Sequence, residues 1–315
     1  MLKLGGHFLS TLMTHKDFKN VDEQLIHLKN KGLIIEDEEK AKAFLSLVSY
    51  YRLSGYWFVF KKDDTGAFID GTSFESIRRL YEFDYKLRLL ISEASKSLEI
   101  SLRTQFSYHL AEFDSPAALE DPNNFHANSI NYYQNIGELG RLIKQQEDKA
   151  CVKHHLKVRN QRPPIWANVE IMTFGLLSRF LKDIRHSKVK KEIAKIFGIS
   201  SQMLISFVEH AVVLRNLSAH HARLWNATLK IRIKLQVRQH LTFLYDNLDL
   251  EKDEGGNYSN RIYNSLIVFA HIQDTLYPEL NWSLRLKELV ADYPEIDFSQ
   301  MGFPTDWEHL SFWKS

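Results

Sequence analysis

The segment LRNLSAHHARLWN, residues 214–226, contains neither proline nor glycine and continues a helical pattern of apolar residues from upstream. This pattern predicts a single α-helix that runs through the whole segment toward Asn226. An α-helix turns by about 100° per residue. His220 and Asn216 should therefore be neighbours on the polar side of the helix, whereas His221 should lie among the leucines of the packed side.

The polar side chains of this segment belong to types that can act on a phosphodiester. A histidine can take or give a proton near pH 7, and the guanidinium groups of Arg215 and Arg223 could hold a phosphate. These groups are sufficient for RNA cleavage without metal, in which the 2′-hydroxyl group attacks the neighbouring phosphate. Arg215 lies roughly 140° around the helix from His220. Either the two side chains flank one groove, or a second copy of the helix completes the site.

Two other groups of charged residues are candidates to support this chemistry. Glu99 and Arg103 are four residues apart in a long predicted helix, which is the spacing of a helix ion pair. They form either a surface salt bridge or part of a cleft in which they orient Arg215 or the phosphate. The densest basic run of the chain begins at Lys182, and it is either a solvated helix face or a surface that holds an RNA backbone. Its candidate RNA-binding residues are Arg185, Lys188, Lys190 and Lys191.

The composition limits the function classes. The formal net charge is only +2, so a nucleic-acid surface would have to be a local basic patch. Cys151 is the only cysteine, which excludes an internal disulfide and fits a cytoplasmic protein. No apolar run approaches the about 20 residues of a membrane span. The pair His154 and His155 lacks a carboxylate or thiol at ligand spacing, so we expect no metal site and no cofactor.

The low counts of glycine, 13, and of proline, 7, favour long helices over a turn-rich β architecture. We predict an all-α fold, with an N-terminal helical and aromatic extension over residues 1–72, a bundle over 73–249 and a C-terminal helical appendage over 250–315. The aromatic tract at residues 50–60 either packs the extension or stacks RNA bases. The predicted helices outside the first segment include residues 17–31, 37–51, 73–109, 137–156, 166–182, 227–248, 261–277 and 284–293.

The spacing of Arg215, Asn216 and His220 also matches the R-polar-x-x-x-H motif of HEPN ribonucleases. The surrounding RNLSAHHARLWN resembles the Abi family of bacterial abortive-infection proteins, of the AbiD/AbiF type. Further segments resemble this family in the same order along the chain. They are Tyr50–Trp57, Phe74–Ile91, Leu98–Phe106, Pro164–Phe180 and Met301–Trp307.

This resemblance implies that residues 73–249 form a HEPN-like helical bundle. It also implies a metal-independent endoribonuclease, used as a phage-defence toxin, whose products carry 2′,3′-cyclic phosphate ends. His220 would then be the general acid or base, Arg215 would stabilise the phosphorane, and Asn216 would orient His220 or the 2′-hydroxyl group.

The resemblance also implies partners. Motif helices of such proteins commonly meet across a dimer interface, so we expect a homodimer that binds RNA. An inhibitory RNA or a protein antitoxin is a further expected partner. The alternative function is a non-catalytic module that binds RNA or protein in a toxin–antitoxin or defence complex.

Overall fold

The computed structural model describes residues 17–62, 65–126, 130–235 and 241–314. The all-α prediction is confirmed, because the structure is 63% helical and contains no strand in the described residues. The HEPN-like arrangement of the bundle stays a prediction. The α-helices are α1 Val21–Asn30, α2 Glu38–Leu47, α3 Tyr50–Trp57, α4 Phe74–Phe113, α5 Ile130–Gln145, α6 Ala150–Lys153, α7 Ile165–Asn168, α8 Phe174–Asp183, α9 Ser187–Ile196, α10 Ser201–Ala219, α11 Thr242–Asn247, α12 Tyr263–Leu276 and α13 Trp282–Ala291.

The first of two compact units covers residues 1–81. Its helices begin at side-chain caps, with Asn20 in a capping box before α1 and Asp37 before α2. In the aromatic tract, Tyr56 and Trp57 are buried. These two rings therefore belong to the core of this unit, as the packing interpretation of the tract predicts.

The second unit covers residues 82–315, and α4 supplies its central apolar face. The C-terminal helices are fixed to this part of α4 by hydrogen bonds. The indole N–H of Trp282 donates to the Leu90 carbonyl at 3.0 Å, and Arg285 binds the Glu93 carboxylate with two hydrogen bonds of 2.6 and 2.7 Å. These contacts hold the C-terminal helices on α4, while the predicted boundaries at residues 72 and 249 stay predictions.

The longest helix after α4 is α10, which begins where the sequence predicts. The Ser200 hydroxyl group accepts a hydrogen bond from the Met203 backbone N–H at 3.2 Å and caps the helix. Among the described residues, no single helix combines the length and the apolar composition of a membrane span. The helices α9 and α10 have this length and composition only when they are taken together, and the pair is bent by 69° at the break between them.

Three helix predictions near the candidate site are wrong. The helix α10 ends at Ala219 instead of continuing toward Asn226. The predicted helix over residues 227–248 is absent from the described part of that range, apart from the short α11, because backbone groups there bond to other segments. For example, the Leu229 N–H donates to the Asn260 carbonyl at 2.9 Å. The predicted helix over residues 166–182 is split into α7 and α8 by a break at residues 169–173.

Candidate active site

The two adjacent histidines end α10. His220 is the C-cap residue, and His221 adopts the left-handed conformation with φ of 56°. The His221 N–H donates to the Ser218 carbonyl at 3.1 Å, and the Ala222 N–H donates to the Leu217 carbonyl at 2.8 Å. This pair of bonds is a Schellman motif. It satisfies the last carbonyls of α10 and turns the chain away from the helix axis, which explains why the helix stops here.

The histidine pair does not divide into a polar and a packed member. Both side chains are exposed, so the prediction that His221 packs among the leucines is wrong. The prediction fails because the helix ends before His221, and beyond that end the 100° periodicity no longer sets the direction of a side chain. The Asn216 side chain is also exposed. The backbone carbonyl of Asn216 accepts a hydrogen bond from the backbone N–H of His220 at 2.9 Å. Asn216 and His220 thus lie together at the exposed end of α10.

Arg215 lies between α4 and α8. Its guanidinium group is 3.8 Å from the Glu99 carboxylate and 5.7 Å from the centroid of the Phe174 ring. About a third of the Arg215 side chain is exposed, at 32%. Its Nε is buried and donates to no acceptor within the described ranges. The exposed third of the side chain is therefore the part that a phosphate could reach, whereas the Nε donor is enclosed by protein.

Glu99 connects Arg215 to Arg103. One carboxylate oxygen of Glu99 accepts from Arg103 and the other faces Arg215. Arg103 also donates to the carbonyls of Val169 and Met172 in the break between α7 and α8. The pair is therefore a half-buried link rather than a surface salt bridge. It fixes Glu99 beside Arg215, while the donors of Arg103 are largely occupied by protein.

A buried carboxylate holds the segment that follows the histidines. Asp84 on α4 is fully buried, and its Oδ1 accepts the backbone N–H groups of Leu224 at 2.9 Å and Trp225 at 2.6 Å. Its other oxygen pairs with Arg88, which is 4% exposed. A carboxylate that accepts backbone N–H groups forms strong, charge-assisted hydrogen bonds. This clamp fixes the path of the chain beyond His220.

Sequence reasoning missed Asp84 as a site residue, although a signal was present. Asp84 falls on the apolar face of the predicted α4, and Arg88 follows four residues later. An acidic residue on a packed face requires a buried partner. The pattern could have identified the ion pair, but not the backbone segment that it binds.

Arg223 lies within the clamped segment and is half-buried. Its expected position on the polar side of a continuing helix is wrong, because α10 has ended before it. The far end of the segment is held by Arg261, which donates to both the carbonyl and the side-chain oxygen of Asn226. The candidate acid–base residue His220 therefore precedes a loop that is fixed at its middle and at its end.

The basic run does not form one surface with Arg215. Phe174, the first residue of α8, contacts Arg215, whereas the run begins in the last turn of that ten-residue helix. A helix of this length extends for about 15 Å. Lys190 is half-buried and donates to the Lys182 carbonyl at 2.9 Å, and burial lowers its pKa. The exposed candidates for phosphate contact are Arg185, Lys188 and Lys191.

A third histidine of α10 has a structural role. His210 is buried, its Nδ1 lies 2.9 Å from the Ile231 carbonyl, and its Nε2 lies 2.7 Å from the Ser265 hydroxyl group. Burial lowers the pKa of His210 to about 4, so the ring is neutral at pH 7. It ties residues 227–235 and α12 to α10. Within the described residues, no three His, Cys, Asp or Glu side chains are grouped to hold a metal ion.

Gly302 should be intolerant of a side chain, because it packs against Arg261. Its φ of 82° suits glycine, and a Cβ there would lie 2.6 Å from the Arg261 Cβ. We expect Gly302→Ala to lower the free energy of unfolding by about 2–4 kcal/mol, from left-handed strain and overpacking. Urea denaturation checks this, with Gly137→Ala as the control, since nothing lies within 4 Å of a Cβ there. Equal stability of the two variants would contradict the close packing.

The fold and the site together define an all-α protein that carries an arginine, an amide and a histidine along the last residues and the C-cap of one helix. The model of the family described as Abi-like protein matches residues 43–226, which is more than half of the chain. The chain belongs to this Abi-like family. No curated protein and no solved structure matches the chain significantly. The matched range includes Asp84, Glu99 and the whole segment 214–226, whereas Arg261 and Gly302 lie outside it.

Proposed function

We propose that this protein is an abortive-infection endoribonuclease that cleaves RNA without a metal ion. The observation that carries the proposal is the C-terminal end of α10, where exposed Asn216 and the exposed C-cap residue His220 lie on the same helix as the partly exposed Arg215 side chain. Membership of the Abi-like family supports the role in phage defence. The same geometry supplies a proton carrier and a phosphate-binding group, which are the minimum for this chemistry.

In the proposed reaction, a His220 imidazole removes the proton of the RNA 2′-hydroxyl group. The 2′-oxygen then forms a bond to the phosphorus, the bond from phosphorus to the 5′-oxygen breaks, and an acid protonates that oxygen. Arg215 stabilises the negative charge of the phosphorane, and Glu99 holds the guanidinium group in place. The products carry a 2′,3′-cyclic phosphate and a 5′-hydroxyl group.

The direct test is to incubate the purified protein with total RNA and map the product ends. Products of the proposed reaction resist ligation that requires a 5′-phosphate, and the cyclic phosphate is opened by acid. Arg215→Ala should remove most of the activity, while Arg141→Ala on the exposed face of α5 serves as a matched arginine control. RNA binding without cleavage would reject the proposal in favour of the non-catalytic RNA-binding module.

We expect cleavage to persist in excess EDTA. The proposed mechanism moves protons with histidine and stabilises charge with arginine, so no step uses a divalent ion. Initial rates should be equal in EDTA and in magnesium at matched ionic strength. A loss of activity in EDTA that a divalent ion restores would contradict the mechanism.

We expect the active form to be a homodimer. In phosphoryl transfer the attacking and leaving oxygens lie roughly in line, so a base and an acid are needed on opposite sides of the phosphate. One His220 cannot occupy both positions, and a second copy would supply the other. On α4, the helix that bears Glu99, Leu89 and Ile100 are 53% and 62% exposed, and they lie roughly 20° apart around the helix. They form a candidate contact surface for that copy.

Light scattering should give twice the mass of one chain. Ile100→Asp should produce monomers and reduce cleavage, whereas the control Ile26→Asp, at an equally exposed isoleucine of α1, should do neither. A monomeric parent protein that is fully active at nanomolar concentration would contradict the dimer.

A further inference from the structure

A cleft with a volume of about 810 Å³ lies between the C-terminal half of α13 and the tail that follows it. This volume is in the range of about 300–1,000 Å³ that is usual for ligand sites. The lining residues lie between positions 287 and 313, outside the family match at 43–226. They include none of the candidate catalytic residues, so the proposed function leaves this cleft without a role.

Aromatic rings form much of the wall. The ring centroids of Phe298 and Phe303 are 5.1 Å apart, those of Phe303 and Trp307 are 5.2 Å apart, and those of Trp307 and Trp313 are 5.0 Å apart. The two phenylalanines are buried, whereas the two indoles are half-buried and line the cleft. The wall therefore presents partly exposed π surfaces on a rigid aromatic base.

The charge of the lining is negative. Glu288, Asp297 and Glu308 contribute carboxylates, and among the described lining residues Lys287 contributes the positive charge. Hydrogen bonds from Ser299 lower the pKa of Asp297, so this carboxylate is ionised at neutral pH. The Lys287 ammonium group lies 4.9 Å from the centroid of the Phe312 ring, which is not part of the lining. A ligand in the cleft would meet more negative than positive charge.

We propose that this cleft binds an arginine side chain presented by a partner polypeptide. A guanidinium group is planar, stacks on indole faces and pairs with carboxylates through two parallel hydrogen bonds. The carboxylates repel a phosphate group, which disfavours RNA, and a purely apolar ligand would make no use of them. The volume exceeds that of one side chain, so the residues that flank the arginine in a peptide also fit.

Isothermal titration calorimetry on the full chain tests this without any reference to RNA cleavage. The probes are the peptides Gly-Arg-Gly-Arg-Gly, Gly-Lys-Gly-Lys-Gly and Gly-Glu-Gly-Glu-Gly. We expect the arginine peptide to bind most tightly. Trp307→Ala should weaken its binding about tenfold, as expected for the loss of a cation–π contact. Trp307→Phe, which keeps an aromatic ring, should retain most of the affinity.

Two further variants exclude effects of misfolding and of general charge. Glu308→Gln is an exposed, nearly isosteric change that should weaken the arginine peptide, and the control Trp166→Ala removes an exposed indole elsewhere. The control should bind like the parent. Equal binding by the parent and Trp307→Ala, no binding at millimolar peptide, or tighter binding of the acidic peptide would each overturn the proposal.

Discussion

His220→Ala should lower the rate of RNA cleavage by about 100- to 10,000-fold, the usual cost of losing a general acid–base group. Thermal unfolding should be unchanged, since the bonds that make His220 the C-cap come from its backbone and its side chain is exposed. Initial rates on a defined RNA measure the loss of cleavage. Melting curves on the same preparation measure thermal unfolding. A folded His220→Ala protein with parental activity would remove His220 from the mechanism.

The matched control is the neighbouring His221→Gly. Glycine adopts the left-handed conformation without the cost of about 1–2 kcal/mol that a side chain incurs. Because His221 has a φ of 56°, glycine fits the backbone at this position, and the glycine variant should fold and still cleave RNA. Growth arrest on expression in bacteria gives a second readout, in which the parent and His221→Gly are toxic and His220→Ala is not. Toxicity in the reverse pattern would assign the catalytic role to His221.

The start and the end of α10 show how far sequence reasoning extends. The start of α10 can be predicted from the local sequence, because a serine before an apolar periodic run caps a helix through its own side chain. The end carried no such signal, since the left-handed position is occupied by histidine rather than by the usual glycine. The helix stops where residues from α4 bind the next segment. No property of residues 214–226 alone encodes that long-range contact.

The polar residues of the site also divide into those that local sequence could place and those that it could not. Glu99 and Arg103 could be paired from their spacing on one helix, and the structure shows that pair with Glu99 beside Arg215. The divergence of Arg215 from His220 that helix geometry predicts stays a prediction, since His220 is already the C-cap residue of α10. The positions of His221 and Arg223 could not be derived, because both lie past the helix end. Helical periodicity is informative only where the helix exists.

Asp84→Ala should have the largest effect on stability, with a loss of about 3–5 kcal/mol in the free energy of unfolding. The substitution leaves the charge of Arg88 buried without its carboxylate partner, and it orphans the backbone N–H groups of Leu224 and Trp225. Urea denaturation of the parent and the variant measures the loss. The matched control is Glu82→Ala, which breaks an exposed pair with Lys86 at the same spacing on α4. That pair should contribute at most about 1 kcal/mol.

A second variant separates the two causes of this loss. In Asp84→Leu with Arg88→Met, no buried charge is left alone, so the part of the destabilisation that comes from Arg88 should be recovered. The two backbone N–H groups still lack an acceptor, so about 1–3 kcal/mol per group should remain. Because these groups belong to the loop that follows His220, the double variant should also cleave RNA more slowly than its stability alone predicts. Full recovery of both stability and cleavage would mean that Asp84 matters only as the partner of Arg88, and that the loop holds its path without the clamp.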